Sequence, residues 1–241
     1  MRLTHEPAPA LADRRVLVVG VGGLGAPAAA ALAAAGVGVL ALIDHDRVES
    51  SNLPRQTLYG DGDVGRPKAE VAAERLAARA PGLRARPIVG RFGADDVALA
   101  AEFDAIVDGT DTIAAKFVVN DAAVAAGRPL LHAGVLGWRA QVTTILPGVT
   151  ACYRCVFEDE PPAGDVPSCS EAGVVNATTA LAAAFQAAEA VRVLTGTLPA
   201  FAGRLLTIDL LTGLHRTVPL ARRPGCPTCA RADITARRSV A

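Results

Sequence analysis

Residues 16–43 carry no charged side chain, and Gly20, Gly22, Gly23, Gly25, Gly36 and Gly38 punctuate them. An uncharged run of this length invites reading as a membrane span. Its alternation of Val-rich and Ala-rich blocks fits buried strand, small-residue helix and second strand better. The strand Arg15-Val16-Leu17-Val18-Val19 ends in Gly20-Val21-Gly22-Gly23-Leu24-Gly25; a helix over 26–35 and a strand over 37–43 follow, closing at Asp44. This is a βαβ unit with a GxGxxG turn. Such glycines let backbone N–H groups approach a phosphate at a helix N-terminus, and an acid placed like Asp44 accepts from ribose hydroxyls. The loop alone does not choose a nucleotide. An NAD-dependent oxidoreductase uses the same parts, and tight helix–strand packing explains the glycines without any ligand.

Further along, the spacing predicts a helix over 67–80 with Pro67 in its first turn, and strands over 85–89, 105–107 and 129–132 with helices between them. That order implies an α/β fold, a Rossmann-like, mostly parallel sheet with helices on both faces. From residue 139 the pattern changes to antiparallel strands over 141–146, 204–209 and 214–219, the last two joined through Leu211-Thr212-Gly213. Residues 173–194 are almost uncharged and read as a buried helix. Residues 158–170, with three prolines and four acids, read as a loop, and the chain beyond 230 as a tail. No repeat or linker divides the 241 residues, so a single domain is expected, with halves of about 15–138 and about 139–229 and a tail over 230–241. A formal net charge of +0 supplies no field toward nucleic acid or an anionic membrane. The polar start is too short for a signal peptide, and a cytoplasmic protein is expected.

Four of the five cysteines form two CxxC pairs, Cys152-Tyr153-Arg154-Cys155 and Cys226-Pro227-Thr228-Cys229. Two such turns can offer four thiolates to one tetrahedral zinc, a closed and therefore structural site. Two disulfides or two redox dithiols use the same residues. Thiols kept for metal suit a reducing compartment. Cys169 is left over.

Beyond Asp44 the residues up to Gln56 are dense in polar groups, Asp46, Asn52 and Arg55 among them; Lys68 follows, and Asp108-Gly109-Thr110-Asp111 ends another strand. A hydride-transfer site has little use for Arg55, Lys68 and a carboxylate in one crevice. A triphosphate does, because cations offset its charge and Asp111 can hold Mg²⁺ against phosphate oxygens. No GxxxxGK[ST] loop is present.

The glycine loop, the Asp44-to-Gln56 segment, Lys68, Asp108-to-Asp111, both CxxC pairs and Pro167-Ser168-Cys169-Ser170-Glu171-Ala172-Gly173 together resemble the ThiF/MoeB/HesA family, bacterial relatives of ubiquitin-activating enzymes. The resemblance runs in order from about Arg15 to Cys229. It implies a homodimeric adenylyltransferase that binds MgATP and a small ubiquitin-like sulfur carrier ending in Gly-Gly, joins AMP to its carboxylate and releases pyrophosphate. Carried over by position, Gly22 lies at the phosphate turn, Asp44 at the ribose, Asn52, Arg55, Gln56 and Lys68 on the nucleotide, and Asp111 on magnesium. It also implies a carrier-binding second half and a Cys169 that attacks the activated carrier or accepts sulfur from a sulfurtransferase donor. Nearby Glu158, Asp159, Glu160, Asp165 and Glu171 oppose a Cys169 thiolate, whereas a following helix start favours one. Three positions depart from the family pattern. No Arg-Tyr-x-Arg-Gln segment precedes the loop, where Arg2 and Arg14 are poor substitutes; Thr112 replaces the usual Asn, and Lys116 the usual Arg. Activation of a peptide or other carboxylate, and a catalytically weak carrier-binding scaffold, are the competing functions.

Overall fold

The computed structural model describes residues 11–162 and 173–230. One eight-stranded sheet runs through it in the order β3-β2-β1-β4-β5-β6-β7-β8. Its strands are β1 (Arg15–Val19), β2 (Val39–Asp44), β3 (Arg84–Val89), β4 (Ala105–Asp108), β5 (Leu130–Leu136), β6 (Arg139–Ile145), β7 (Arg204–Asp209) and β8 (Leu214–Pro219). The first five are parallel neighbours, and β6, β7 and β8 add on antiparallel, as the change of pattern at residue 139 predicts.

Alternation within β1 sorts the core into two layers. Val16 and Val18 face helices α1 (Gly25–Ala34), α2 (Lys68–Arg79) and α6 (Asn176–Leu194). Leu17 and Val19 face α3 (Val97–Ala101), α4 (Ile113–Ala125) and the short α5 (Tyr153–Val156). Strands buried on both sides need such continuous apolar runs. The sheet is wound outward from β1 in both directions, so β1 and β4 form a switch point where a crevice opens at the strand ends.

Two local expectations change. Pro67 stands just outside α2, with ψ at 130°, and its carbonyl accepts the Val71 N–H. The uncharged helix is not buried all round: α6 begins at Asn176 and buries one face, while Ala177, Ala180, Ala184 and Ala188 are exposed. Alanine carries too little apolar area to force a face inward. Among the described residues no helix is long and apolar enough to cross a membrane.

Candidate active site

Three glycines bring the end of β1, the start of α1 and the end of β4 together. Gly20 has φ +82°, a backbone that side chains rarely adopt. A Cβ on Gly25 or on Gly109 would run into the Gly20 carbonyl. Gly25 is thus a packing residue and does not line the cleft, whereas Gly20, Gly22, Gly23 and Leu24 do. The Tyr59 hydroxyl donates to the Val21 carbonyl at 2.6 Å and steadies the loop from behind.

Above this turn lies a cleft of about 1110 Å³. Asp44, at the end of β2, accepts from the Val21 N–H and the Asp46 N–H, both at 2.8 Å. Each of its oxygens keeps capacity for a further donor, as a ribose-binding carboxylate must. Lys68, at the first position of α2, reaches Asp46 Oδ2 at 2.9 Å. Burial alone would raise the Asp46 pKa, but the Lys68 ammonium, with His45 and Arg91, outweighs it and holds the carboxyl below its ordinary value. Asn52 and Gln56 form a ladder, with Gln56 Nε2 donating to Asn52 Oδ1 at 2.9 Å and Asn52 Nδ2 to Glu49 at 3.2 Å. The Gln56 amide lies against Gly22 of the glycine turn through Nε2, and its Oε1 is a buried acceptor without a partner. Arg55 and Asp111 line the same cleft, the arginine donating to the Ser51 carbonyl at 3.0 Å. The fold therefore gathers Gly20, Gly22, Gly23, Leu24, Asp44, Asp46, Asn52, Arg55, Gln56, Lys68 and Asp111 around one cavity. Cys169 lies outside the described residues.

The ThiF family model matches residues 3–228. The chain belongs to the ThiF family. It is 42% identical over 230 residues to a sulfur carrier protein adenylyltransferase of Thermus thermophilus, covering 93% of this chain and 85% of that one. It is 39% identical to the SAMP-activating enzyme E1 of Haloferax volcanii, covering 93% and 83%. A crystal structure of E. coli MccB with AMPCPP and MccA superimposes with a TM-score of 0.81 at 26% identity, covering 91% of this chain and 68% of that one.

In this ThiF-family chain Thr112 occupies a capping position. Thr112 is the N-cap of α4, its hydroxyl accepting the Ala115 N–H at 3.3 Å, and Asn and Thr both serve there. Beneath the cleft is a cluster whose roles the sequence does not announce. Asp108 is fully buried, with Oδ1 accepting from the Thr110 N–H at 3.0 Å and hydroxyl at 2.6 Å. Its Oδ2 faces His132 Nδ1 at 2.7 Å and Lys116 Nζ at 3.3 Å. Burial would raise the Asp108 pKa, but Lys116, His132 and Thr110 overcome it and hold it well below the carboxylate range. Burial, with Lys116 adding to it, lowers the His132 pKa. His132 is thus neutral, its Nδ1–H donated to an acceptor-only carboxylate. A lone lysine in the apolar first turn of α4 is the one sequence signal that could have pointed here.

The other half of the ThiF-type fold brings the two CxxC pairs together. Sγ separations are 3.9 Å for Cys152–Cys155, 3.8 Å for Cys152–Cys226 and 3.7 Å for Cys155–Cys229. A tetrahedron with Zn–S bonds of about 2.3 Å has edges of about 3.8 Å, so the four sulfurs fit zinc. Bonded disulfides would need about 2.05 Å. Burial raises the Cys226 pKa, yet the backbone N–H groups of Cys229 and Thr228 and the neighbouring thiols bring it down to about 7. The knuckle is clamped to α4: the Tyr153 N–H donates to Asn120 Oδ1 at 2.8 Å, and Arg154 pairs with Asp121 at 2.8 Å.

Proposed function

We propose that this protein transfers AMP from MgATP to the C-terminal carboxylate of a small ubiquitin-like sulfur carrier ending in Gly-Gly, releasing pyrophosphate. One observation carries the reading: Asp44, the cations Arg55 and Lys68, and Asp111 meet in a single cleft above the glycine turn of a ThiF-family chain. Asp44 accepts the ribose hydroxyls and the turn receives the phosphates. Asp111 holds Mg²⁺, which offsets charge on the leaving pyrophosphate. Arg55 and Lys68, which line the same cleft, share that task. For Lys68, phosphate must replace Asp46 as the partner. A carboxylate is already ionised at pH 7, so attack at the α-phosphorus needs no general base. Positioning and charge neutralisation carry the rate.

The proposal extends to a zinc ion on Cys152, Cys155, Cys226 and Cys229, to a homodimer, and to Cys169 as the thiol that attacks the carrier adenylate, forming a thioester as AMP leaves, or that accepts sulfane sulfur from a persulfide, whose own thiol is released. A sulfurtransferase supplies that sulfur. The test is exchange of labelled pyrophosphate into ATP, which should depend on a Gly-Gly-ended carrier. Exchange that ignores the carrier but responds to a peptide would favour the second reading, for which the likeness to the E. coli MccB complex with MccA is the support. Cys169→Ser should keep exchange and lose the reducible link to the carrier. Sulfur transfer at the wild-type rate in that variant would remove Cys169 from the scheme.

A further inference from the structure

Lys116 lies in the first turn of α4 and on the floor of the cleft, with a side chain only 8% exposed. A cation at this place could bind phosphate directly or could hold the protein around it, and its donors decide between the two. An ammonium has three N–H groups. Lys116 Nζ meets three acceptors: Asp108 Oδ2 at 3.3 Å, the Thr110 carbonyl at 2.8 Å and the Ala133 carbonyl at 2.8 Å. No donor remains for a ligand.

The partners explain what is being held. Thr110 is fixed at its N–H and hydroxyl by Asp108 and at its carbonyl by Lys116, and Asp111 is the next residue. Ala133 belongs to β5, whose next residues, Gly134 and Val135, form another wall of the cleft. Simple neutralisation of Asp108 would not require both carbonyl contacts. We propose that Lys116 is a positioning residue, which fixes the turn bearing Asp111 against β5 and thereby sets the geometry of the magnesium site without touching nucleotide. This rests on the reading of Asp111 as the magnesium-holding group.

The experiment titrates Mg²⁺ into the intact protein saturated with a non-hydrolysable ATP analogue, and separately measures analogue binding without metal. Lys116→Met should weaken Mg²⁺ about 10–100-fold, the usual cost of losing a group that orients a metal-binding residue. Thr110→Val should weaken it less, and Lys116→Arg should recover much of the loss. Metal-free analogue binding should fall far less than Mg²⁺ binding. An equal fall in both for Lys116→Met would make the lysine a phosphate ligand and overturn the proposal. Should Lys116→Met not fold, Thr110→Val decides, because it removes one hydrogen bond and strands no charge; wild-type Mg²⁺ affinity there overturns the idea. Asp111→Asn separates the two levels. Mg²⁺ affinity surviving Asp111→Asn would remove the metal assignment itself, whereas a loss there with none in the Lys116 and Thr110 variants would remove only the positioning role.

Discussion

At the scale of single residues the cleft is a set of charges awaiting exchange. Lys68 is 5% exposed and tied to Asp46, so it is pre-aimed, and its loss should be felt in the reaction more than in the fold. Lys68→Ala should lower kcat/KM for exchange by about 100-fold, the scale of one lost preorganised donor. A change under about threefold, less than 1 kcal/mol, would take Lys68 out of the phosphate site. Asp111→Ala should abolish exchange, and undiminished activity would mean that the metal is held elsewhere. His132 supplies a pH dependence with a definite sign. Its folded pKa lies below the ordinary value of 6.5, so below that pH the unfolded chain takes up a proton that the folded chain refuses. Stability from this group is complete above pH 6.5 and falls as the pH drops from there, by up to about 1.4 kcal/mol per pH unit. His132→Asn, which keeps an N–H for Asp108, should flatten the fall of the denaturation midpoint below about pH 6.5. The same slope in both proteins would refute the assignment.

Among the elements, α6 and the cysteine knuckle tie distant parts of the chain together. Glu189, 2% exposed on α6, accepts from the Thr144 hydroxyl at 2.8 Å and from the Ala200 and Phe201 N–H groups at 2.9 Å. One carboxylate thereby ties the helix to β6 and to the segment leading into β7. Glu189→Ala leaves three donors without an acceptor and should cost about 2–4 kcal/mol in urea denaturation. A cost below about 0.5 kcal/mol would show that water replaces it. The knuckle should behave as a unit. Cys226→Ser should release zinc and lower the thermal midpoint by about 6–12 °C, the equivalent of roughly 3 kcal/mol in a chain of this size. Purified protein that holds no zinc, with its thiols free to alkylate, would contradict the metal reading. Why some features were legible and others not follows from these elements. The βαβ unit, the β7–β8 hairpin and the CxxC pairs are local, so spacing alone exposes them. The Asp108–Lys116–His132 cluster joins β4, α4 and β5, and no local pattern records which strand ends become neighbours. The half-exposed face of α6 was missed because alanine fits inside and outside equally well.

For the whole molecule, the sheet has two unlike borders. β3 keeps two half-buried positions along its edge, while β8 is exposed at every position and presents Leu214 and Val218. The only tryptophan, Trp138, is 46% exposed in the turn between β5 and β6, flanked nearby by the cleft-lining Leu136 and Arg139. Docking of a tryptophan-free carrier at this mouth should shift Trp138 emission to the blue as the ring is desolvated. Unchanged emission at saturating carrier would place docking elsewhere. The cysteine knuckle also has a bearing on time. Cys152 and Cys226 stand 74 residues apart, and Thr228 of the second pair adds a hydrogen bond to Asp121 on α4, the helix whose first turn lies next to Asp111. On the ribosome, β1 to β5 can pair long before Cys229 has emerged, since chains fold from the N-terminus as they are made. The floor of the cleft is therefore built early and locked late. A nascent chain stalled before Cys226 should bind nucleotide poorly even though every phosphate-facing residue has already been synthesised.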